Sequence, residues 1–281
     1  MKWRLSRVEL DLSTPVVMGV LNVTPDSFSD GGRFVRPDAA LAHARAMVAD
    51  GARVVDVGGE STRPGAAPVS EPEEMDRVLP VIERVSQELD CVVSIDTMKP
   101  AVMDAACAAG AQIVNDVNAL RADGAAAVAA RRGAGVCLMH MQGEPRTMQD
   151  APRYRDVVAE VKGYLAQRIE ACGKAGVARD RIAIDPGFGF GKTLEHNLAL
   201  LRGLPELAKL GVPIVAGLSR KSMFKQLLDR AADERLAGSV AAAAIAVWQG
   251  ARIVRAHDVR ATIDAIRFAA AAKAAPEVFP A

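Results

Sequence analysis

Apolar positions along the chain fall into short runs, and each run ends in polar residues or glycine. The clearest is 182–184, which lies between Arg181 and Asp185. A short apolar run with β-branched residues is typical of a strand buried on both faces. Because the residue that follows this run is the carboxylate Asp185, the strand presents that group at its carboxyl end. Seven further runs have the same form, at 16–21, 53–57, 91–95, 112–114, 135–139, 213–216 and 252–254.

Segments with helical periodicity separate these runs, so strand and helix alternate along the chain. Start and stop signals support several helices, for example the capping box of Ser70 and Glu73 and the terminal glycine Gly110. Eight buried strands that alternate with helices predict an α/β fold, an eight-stranded (β/α)8 TIM barrel. The predicted helices span 37–50, 71–89, 100–109, 123–132, 153–173, 193–210 as a broken pair, 221–249 and 259–273.

The main alternative is an open, doubly wound sheet, which binds its ligand at one topological switch point. Polar residues follow nearly every predicted strand of this chain, and that distribution favours the barrel. Residues 3–10 precede the first core strand and alternate between polar and apolar positions, which predicts an N-terminal hairpin that caps the barrel floor. We therefore expect one domain over residues 1–281.

Composition and charge narrow the class of protein. The net charge of +1 at pH 7 argues against a nucleic-acid partner. The four cysteines show no CxxC or Cys/His metal spacing, and we expect them to be reduced thiols in a cytoplasmic protein. Residues 1–12 lack the apolar core of a signal peptide and the run at 240–247 is too short to cross a bilayer, so no membrane partner is expected.

Side chains that follow the strands of a barrel meet at one face, and here they divide into acceptors and cations. The acceptors follow the third, fourth and sixth core strands: Asp96, Asn115 and Asp185. The cations follow the seventh and eighth strands, where barrels commonly bind phosphate: Lys221, Arg255 and His257. A ligand with a donor-rich heterocycle and an anionic tail would satisfy both sets.

Two long loops have the composition of mobile covers for such a site. Residues 22–32 combine turn-forming residues with one large apolar side chain, Phe28. Residues 58–68 are rich in glycine and proline and carry a cation, Arg63. Residues 187–193 are similar to a phosphate-binding P-loop, but Pro186 stands where that motif requires its first glycine.

Several other polar residues have a structural interpretation as well as a functional one. Asp56 and Asp116 follow strands, and either cap the next loop or take part in catalysis. His43 and His196 lie in predicted helices, where surface or packing roles are favoured. His140 lies between two methionines at a strand end, which indicates a packed side chain, so we leave it out of the candidate site.

Eight sequence blocks, in this order, resemble the dihydropteroate synthase family of folate biosynthesis. They are MGVLNVTPDSFSDGG (18–32), DVGGESTRPGA (56–66), SIDT (94–97), VNDV (114–117), HMQGEPRTMQ (140–149), DPGFGFGK (185–192), GLSRKS (217–222) and RAHDV (255–259). The resemblance implies a pterin-binding transferase that condenses 6-hydroxymethyl-7,8-dihydropterin diphosphate with 4-aminobenzoate. Its products would be 7,8-dihydropteroate and pyrophosphate, and its cofactor Mg²⁺.

The resemblance also implies roles for individual residues. The pterin would be bound by Asp96, Asn115, Met139, Asp185, Lys221 and Arg255. The metal would be bound by Asn22, and the diphosphate by Asn22, Arg63, Arg255 and His257. The aminobenzoate, which sulfonamides resemble, would be framed by Phe28, Thr62, Pro64, Phe190, Lys221 and Ser222. The catalytic set would be Arg63, Lys221, Arg255 and His257. A homodimer is also implied, and the alanine-rich segment 238–249 has the small side chains that permit close packing.

Two other functions stay open: a corrinoid-linked methyltransferase whose barrel binds a pterin, and a non-catalytic pterin-binding homologue. The methyltransferase would not require Arg63 or the pair Arg255 and His257, since its ligand carries no diphosphate. A non-catalytic homologue should have lost some of these residues, and none is missing. Because the aminobenzoate residues include no His, Asp or Glu to act as a general base, we expect diphosphate to depart before the amine attacks.

Overall fold

The chain begins with a small antiparallel hairpin, β1 (Lys2–Arg4) and β2 (Glu9–Asp11). Its Trp3 and Leu10 are buried in a cluster that includes barrel residues Met18 and Ile113. The Trp3 indole nitrogen donates to the carbonyl of Arg181 at 2.8 Å. The hairpin therefore covers the floor of the barrel, as its alternating pattern predicted.

A parallel sheet organises the rest of the computed structural model, which describes residues 1–24, 37–61, 67–144 and 147–274. Its eight strands each begin and end within two residues of a predicted apolar run. They are β3 (Val16–Asn22), β4 (Val54–Gly58), β5 (Val92–Asp96), β6 (Ile113–Asp116), β7 (Gly135–Met139), β8 (Ile182–Asp185), β9 (Val215–Ala216) and β10 (Ile253–Ala256).

The sheet closes on itself. Strands β3 to β8 pair in chain order, and β10 pairs with both β3 and β9. The last gap is bridged between Ile184 of β8 and Ile214, where the Ile184 amide donates to the carbonyl of Pro213 at 2.9 Å. This ring of parallel strands is the predicted TIM barrel and not the open doubly wound sheet.

Helices cover the outside of the barrel. They are α1 (Pro37–Ala49), α2 (Glu71–Glu88), α3 (Pro100–Ala109), α4 (Ala125–Arg132), α5 (Val157–Lys174), α6 (Leu194–Arg202), α7 (Leu204–Ala208), α8 (Met223–Leu228), α9 (Leu236–Trp248) and α10 (Val259–Ala274). The predicted broken pair at 193–210 is confirmed as α6 and α7. The prediction of one helical segment at 221–249 is wrong, because Asp229 takes a left-handed conformation (φ 51°) and ends α8.

Burial follows from this layering. Every residue of β4 and β7 is buried, because a barrel strand faces the interior on one side and a helix on the other. In the described core strands, polar side chains lie from the middle of the strand to its carboxyl end, as Asp56 and Asp185 do, and this sets the position of the site. In the part of the chain that the structure describes, no helix has the length and apolar character that crossing a membrane requires.

Candidate active site

One cavity lies at the carboxyl ends of the strands, and it brings most of the predicted site residues together. Acceptors, cations and apolar side chains from different strands and loops line it. The lining residues are Asp96, Asn115, Val117, Met139, Asp185, Phe188, Phe190, Gly217, Lys221 and Arg255. Every acceptor predicted from the strand ends is in this set.

Arg255 is the centre of a buried hydrogen-bond network beneath the cavity. Its Nε donates to Asp56 Oδ2 at 2.6 Å, and its Nη2 donates to Asp96 Oδ2 at 2.7 Å. Asn115 Nδ2 donates to the same Asp56 oxygen at 3.0 Å, and Asp56 has 0% of its surface exposed. Asp56 therefore orients the Arg255 guanidinium and turns the amide oxygen of Asn115 away from itself.

The two carboxyl groups that line the cavity are held in place and poorly solvated. Asp185 Oδ1 accepts from the Gly187 amide at 2.6 Å, while its Oδ2 lies toward Gly217. Burial raises the pKa of Asp185, and the Gly187 hydrogen bond opposes that change. Burial raises the pKa of Asp96 to about 7 against the opposing charge of Arg255. Both groups would gain from a ligand that brings N–H donors.

Lys221 and Phe190 form the side of the cavity beside the loop after β9. The Lys221 Nζ lies 4.1 Å from the centre of the Phe190 ring, a cation–π contact. Burial lowers the pKa of Lys221 to about 8, with Asp185 opposing the shift, so most of it is protonated at pH 7. Ser222, the next residue, is exposed. A cation above an aromatic ring suits a flat, anionic or electron-rich ligand.

His257 differs from its predicted role as a cation. Burial and the charge of Arg255 lower the pKa of His257 to about 4, so the ring is neutral at pH 7. The Ser219 hydroxyl accepts from the His257 amide at 3.2 Å and lies 3.0 Å from its Nδ1. If Ser219 donates its hydroxyl proton to Nδ1, His257 keeps a proton on Nε2 and acts as a neutral hydrogen-bond donor.

Asn22 ends β3 near Asp96, and a Cβ on Gly58 would lie 3.6 Å from Asn22 Oδ1 and 3.8 Å from Asp96 Oδ2. Within the described ranges, no group of three or more His, Cys, Asp or Glu side chains could hold a metal ion. A single amide oxygen still fits Mg²⁺, because this ion keeps several waters and takes phosphate oxygens from its substrate.

The residues with two interpretations can now be assigned. Asp116 accepts from the amides of Asn118 and Leu120, both at 2.7 Å, so it caps the loop after β6. His196 Nδ1 accepts from the Thr193 amide at the start of α6. His43 is exposed on α1, which is the surface role that its position in a helix favoured, and His140 is buried, as its packing interpretation predicted. The predicted site residues Phe28, Thr62, Arg63 and Pro64 lie outside the described residues.

Sequence reasoning missed several residues of this site. Val117, Phe188 and Gly217 line the cavity but are apolar or small, so only their position after a strand could have indicated them. Ser219 lies in the block GLSRKS (217–222), but the sequence alone does not reveal its contact with His257. These contacts join segments that are far apart in the sequence, and no spacing rule detects them.

Comparisons with known proteins agree with this geometry. The family model of pterin binding enzymes matches residues 18–257. The dihydropteroate synthase of Escherichia coli (strain K12) is 51% identical over 277 residues, 99% of this chain and 98% of the relative. The Yersinia pestis dihydropteroate synthase in a sulfonamide drug complex has a TM-score of 0.93 at 49% identity, covering 98% of this chain and 100% of that one. The Xanthomonas albilineans dihydropteroate synthase in complex with 7,8-dihydropteroate has a TM-score of 0.90 at 46% identity, covering 98% and 100%. The chain therefore belongs to the pterin-binding enzyme family, and within that family to the dihydropteroate synthases.

Proposed function

We propose that this synthase binds the pterin ring of 6-hydroxymethyl-7,8-dihydropterin diphosphate in the cavity at the strand ends and lets the diphosphate depart before 4-aminobenzoate attacks. One observation carries the placement of the ring. Asp96, Asn115 and Asp185 come from three different strands and line one buried cavity, where their oxygens match an edge of N–H donors. The related Xanthomonas albilineans enzyme has been solved with 7,8-dihydropteroate, the product of this condensation.

Arg255 and Lys221 complete the pterin site in this proposal. The edge of the Arg255 guanidinium is held by Asp56 and Asp96, so its flat face is the surface that it offers to a ring. Lys221 is mostly protonated and would donate to the pterin carbonyl. Met139, which lines the cavity, would pack beside the ring.

The diphosphate would extend toward the ends of β3 and β10. Asn22, Arg255 and the Nε2 proton of a neutral His257 would bind its oxygens, joined by Arg63. Asn22 would also hold Mg²⁺, which when bound neutralises charge on the leaving diphosphate. The protein's own part is to orient the diphosphate and to supply donors to its oxygens as the bond breaks.

The aminobenzoate would bind beside Phe190, Lys221 and Ser222. Phe28, Thr62 and Pro64 would complete this pocket from the loops that follow β3 and β4. Sulfonamides would compete for the same pocket, as their resemblance to aminobenzoate implies, and the Yersinia pestis relative has been solved with such a drug.

The order of steps follows from the absence of a base among the described residues assigned to the aminobenzoate. An arylamine is a poor nucleophile, and Lys221 is mostly protonated at pH 7. Once the C–O bond breaks, positive charge on the methylene can spread into the dihydropterin ring, where Asp96 and Asp185 stabilise it. The amine then attacks a cation, and it can lose its proton to water afterwards.

Positional isotope exchange tests this order. Substrate labelled with ¹⁸O at the bridging oxygen is incubated with enzyme and Mg²⁺ but without aminobenzoate. Reversible cleavage should scramble the label, and Arg255→Ala and Arg63→Ala should abolish the scrambling. Arg252→Ala, whose side chain instead reaches Ser13 on the opposite side of the fold, should scramble like the wild type. An active wild-type enzyme that shows no scrambling would count against departure before attack, provided that the bound pyrophosphate can rotate before it recombines.

We also propose that the synthase acts as a homodimer in the cytoplasm. Exposed apolar side chains gather on α8, α9 and α10: Leu227, Leu228, Leu236, Ile245, Trp248 and Phe268. Such a patch supports an interface between two copies. All four cysteines are free thiols, which supports a reducing compartment.

A further inference from the structure

Lys192 is an almost completely buried lysine, with 3% of its surface exposed, at the end of the loop between β8 and α6. Its Nζ donates to the carbonyl oxygens of Phe190 at 2.9 Å and of His140 at 3.3 Å, and it lies 3.0 Å from His140 Nδ1. These partners are uncharged, so they offset only part of the cost of removing an ammonium from water. None of the roles proposed above requires this ammonium.

His140 is the acceptor in this contact. Burial and the charge of Lys192 lower the pKa of His140 to about 3, so its ring is neutral at pH 7. An edge-to-face contact with Tyr164, at 4.9 Å between ring centres, fixes the ring. Burial lowers the pKa of Lys192 to about 7, with Asp185 opposing the shift. Because the His140 ring is neutral and the Lys192 amino group carries N–H donors, Lys192 donates in this contact and His140 Nδ1 accepts.

The ammonium joins two loops that follow neighbouring strands. His140 directly follows β7, and Phe190 belongs to the loop after β8. The two backbones approach so closely that a Cβ on Gly187 would overlap the carbonyl oxygen of His140. Lys192 bonds to a carbonyl on each side of this contact and so links the loops to each other.

The Phe190 peptide is the part of the loop that Lys192 holds. Asn197 fixes an earlier peptide of the same loop by accepting from the Gly189 amide at 2.7 Å. The carbonyl of Phe190 instead accepts from Lys192, and its ring turns into the cavity beneath Lys221. The Phe190 amide donates to the carbonyl of Gly187 at 3.1 Å, so Lys192 and Gly187 together set the direction of the Phe190 ring.

We propose that Lys192 is a positioning residue for the condensation, because its ammonium clamps the Phe190 peptide to the end of β7 and holds the Phe190 ring where 4-aminobenzoate binds. This inference rests on the proposed placement of aminobenzoate beside Phe190. The side chains of Asp96, Asn115 and Asp185 would contact the pterin, and their hydrogen bonds go to groups other than Lys192, so pterin binding should depend little on the clamp. Loss of the clamp should weaken the use of aminobenzoate selectively.

Lys192→Met tests the clamp, since it keeps a long side chain in the core but removes every donor. Steady-state kinetics give KM for both substrates, calorimetry gives the Kd of a pterin analogue, and Tm reports folding. We expect KM for 4-aminobenzoate to rise about tenfold or more, with the pterin Kd within about threefold of the wild type. Lys209→Met, which breaks only an exposed ion pair with Glu206, should change neither.

A pair of variants at His140 provides a second test. His140→Asn keeps an acceptor near the position of Nδ1, whereas His140→Leu removes it. Both lose the ring contact with Tyr164, so a purely structural role would affect them alike. We expect His140→Leu to raise KM for aminobenzoate and His140→Asn to restore much of the wild-type value.

Three outcomes would overturn the proposal. The first is an unchanged KM for aminobenzoate in folded Lys192→Met, and the second is an equal loss of pterin binding, which marks a structural role. The third is an equal KM for aminobenzoate in His140→Asn and His140→Leu. This outcome decides the question if Lys192→Met does not fold. Phe190→Ala distinguishes a failure of the proposed aminobenzoate site from a failure of the clamp. An unchanged KM in that variant rejects the aminobenzoate site itself, whereas a raised KM there with unchanged Lys192→Met rejects only the clamp.

Discussion

At the residue scale, the sequence indicates which side chains reach the site but not which partners they have. The acceptors at the strand ends were predictable because parallel strands end at one face of a barrel. The bond between Arg255 and Asp56 joins residues 199 positions apart, and no local pattern specifies it. The neutral state of His257 likewise depends on burial beside Arg255, which residue type alone does not show.

Asp185→Asn should weaken pterin binding sharply. The Asn side chain can keep its oxygen on the Gly187 amide, as Asp185 Oδ1 does at 2.6 Å. Its NH₂ group then replaces Oδ2 and meets a pterin N–H, so donor faces donor in a buried site. We expect a loss of about 2–3 kcal/mol, or roughly 30- to 150-fold in Kd, measured by calorimetry with a pterin analogue.

The matched control is Asp104→Asn, because Asp104 bonds to Arg131 and Arg132 at the surface. Its pterin Kd should equal that of the wild type. If Asp185→Asn also binds the analogue with wild-type affinity, Asp185 serves the loop through Gly187 and not the ligand.

At the element scale, hydrophobic pattern predicts the strands well because their ends are set by the change from apolar to polar residues. The break between α8 and α9 was missed for a physical reason. Residues 229–235 are charged residues and alanines, which have adequate helix propensity but no large apolar side chain to bury. Packing, and not helix propensity, determines whether such a segment is helical, so its conformation depends on the surrounding fold.

Gly187→Ala should test how tightly the loops after β7 and β8 pack. Gly187 has a left-handed φ of 69°, and a Cβ there would overlap the carbonyl of His140. Gly124→Ala is the matched control, since Gly124 has a φ of 81° but open space around its Cβ position. Backbone strain alone should cost each variant about 1–2 kcal/mol of unfolding free energy.

The overlap should make Gly187→Ala less stable than Gly124→Ala by about 1–3 kcal/mol in urea unfolding. It should also weaken pterin binding, because the Gly187 amide orients Asp185. Equal unfolding free energies in the two variants would show that the two loops can separate at little cost.

At the scale of the whole molecule, the count of strands predicted a barrel, but the contacts that close it became visible only in the structure. The bridge between Ile184 and Ile214 joins β8 to the segment before β9. Because the barrel closes within a single chain, the described site residues all lie at one face of that barrel. The barrel encloses the site without the exposed apolar side chains of α9 and α10. These side chains are therefore available for contact with a second copy of the chain.

The proposed homodimer can be tested at Phe268 of α10, which is 77% exposed and should contribute little to the fold of one chain. Sedimentation velocity at micromolar concentration should show a dimer for the wild type. Phe268→Asp places a charge in the apolar patch and should shift the protein toward monomer, since a buried aromatic anchor contributes about 2–4 kcal/mol to an interface.

Val8→Asp is the matched control, because Val8 is an exposed apolar residue in the N-terminal hairpin, away from α9 and α10. It should sediment as a dimer. Monomeric Phe268→Asp should keep its kcat, because the strand ends that form the cavity all belong to one chain. A wild-type protein that is monomeric at these concentrations would reject the dimer, and a dimeric Phe268→Asp would place the interface elsewhere on the barrel.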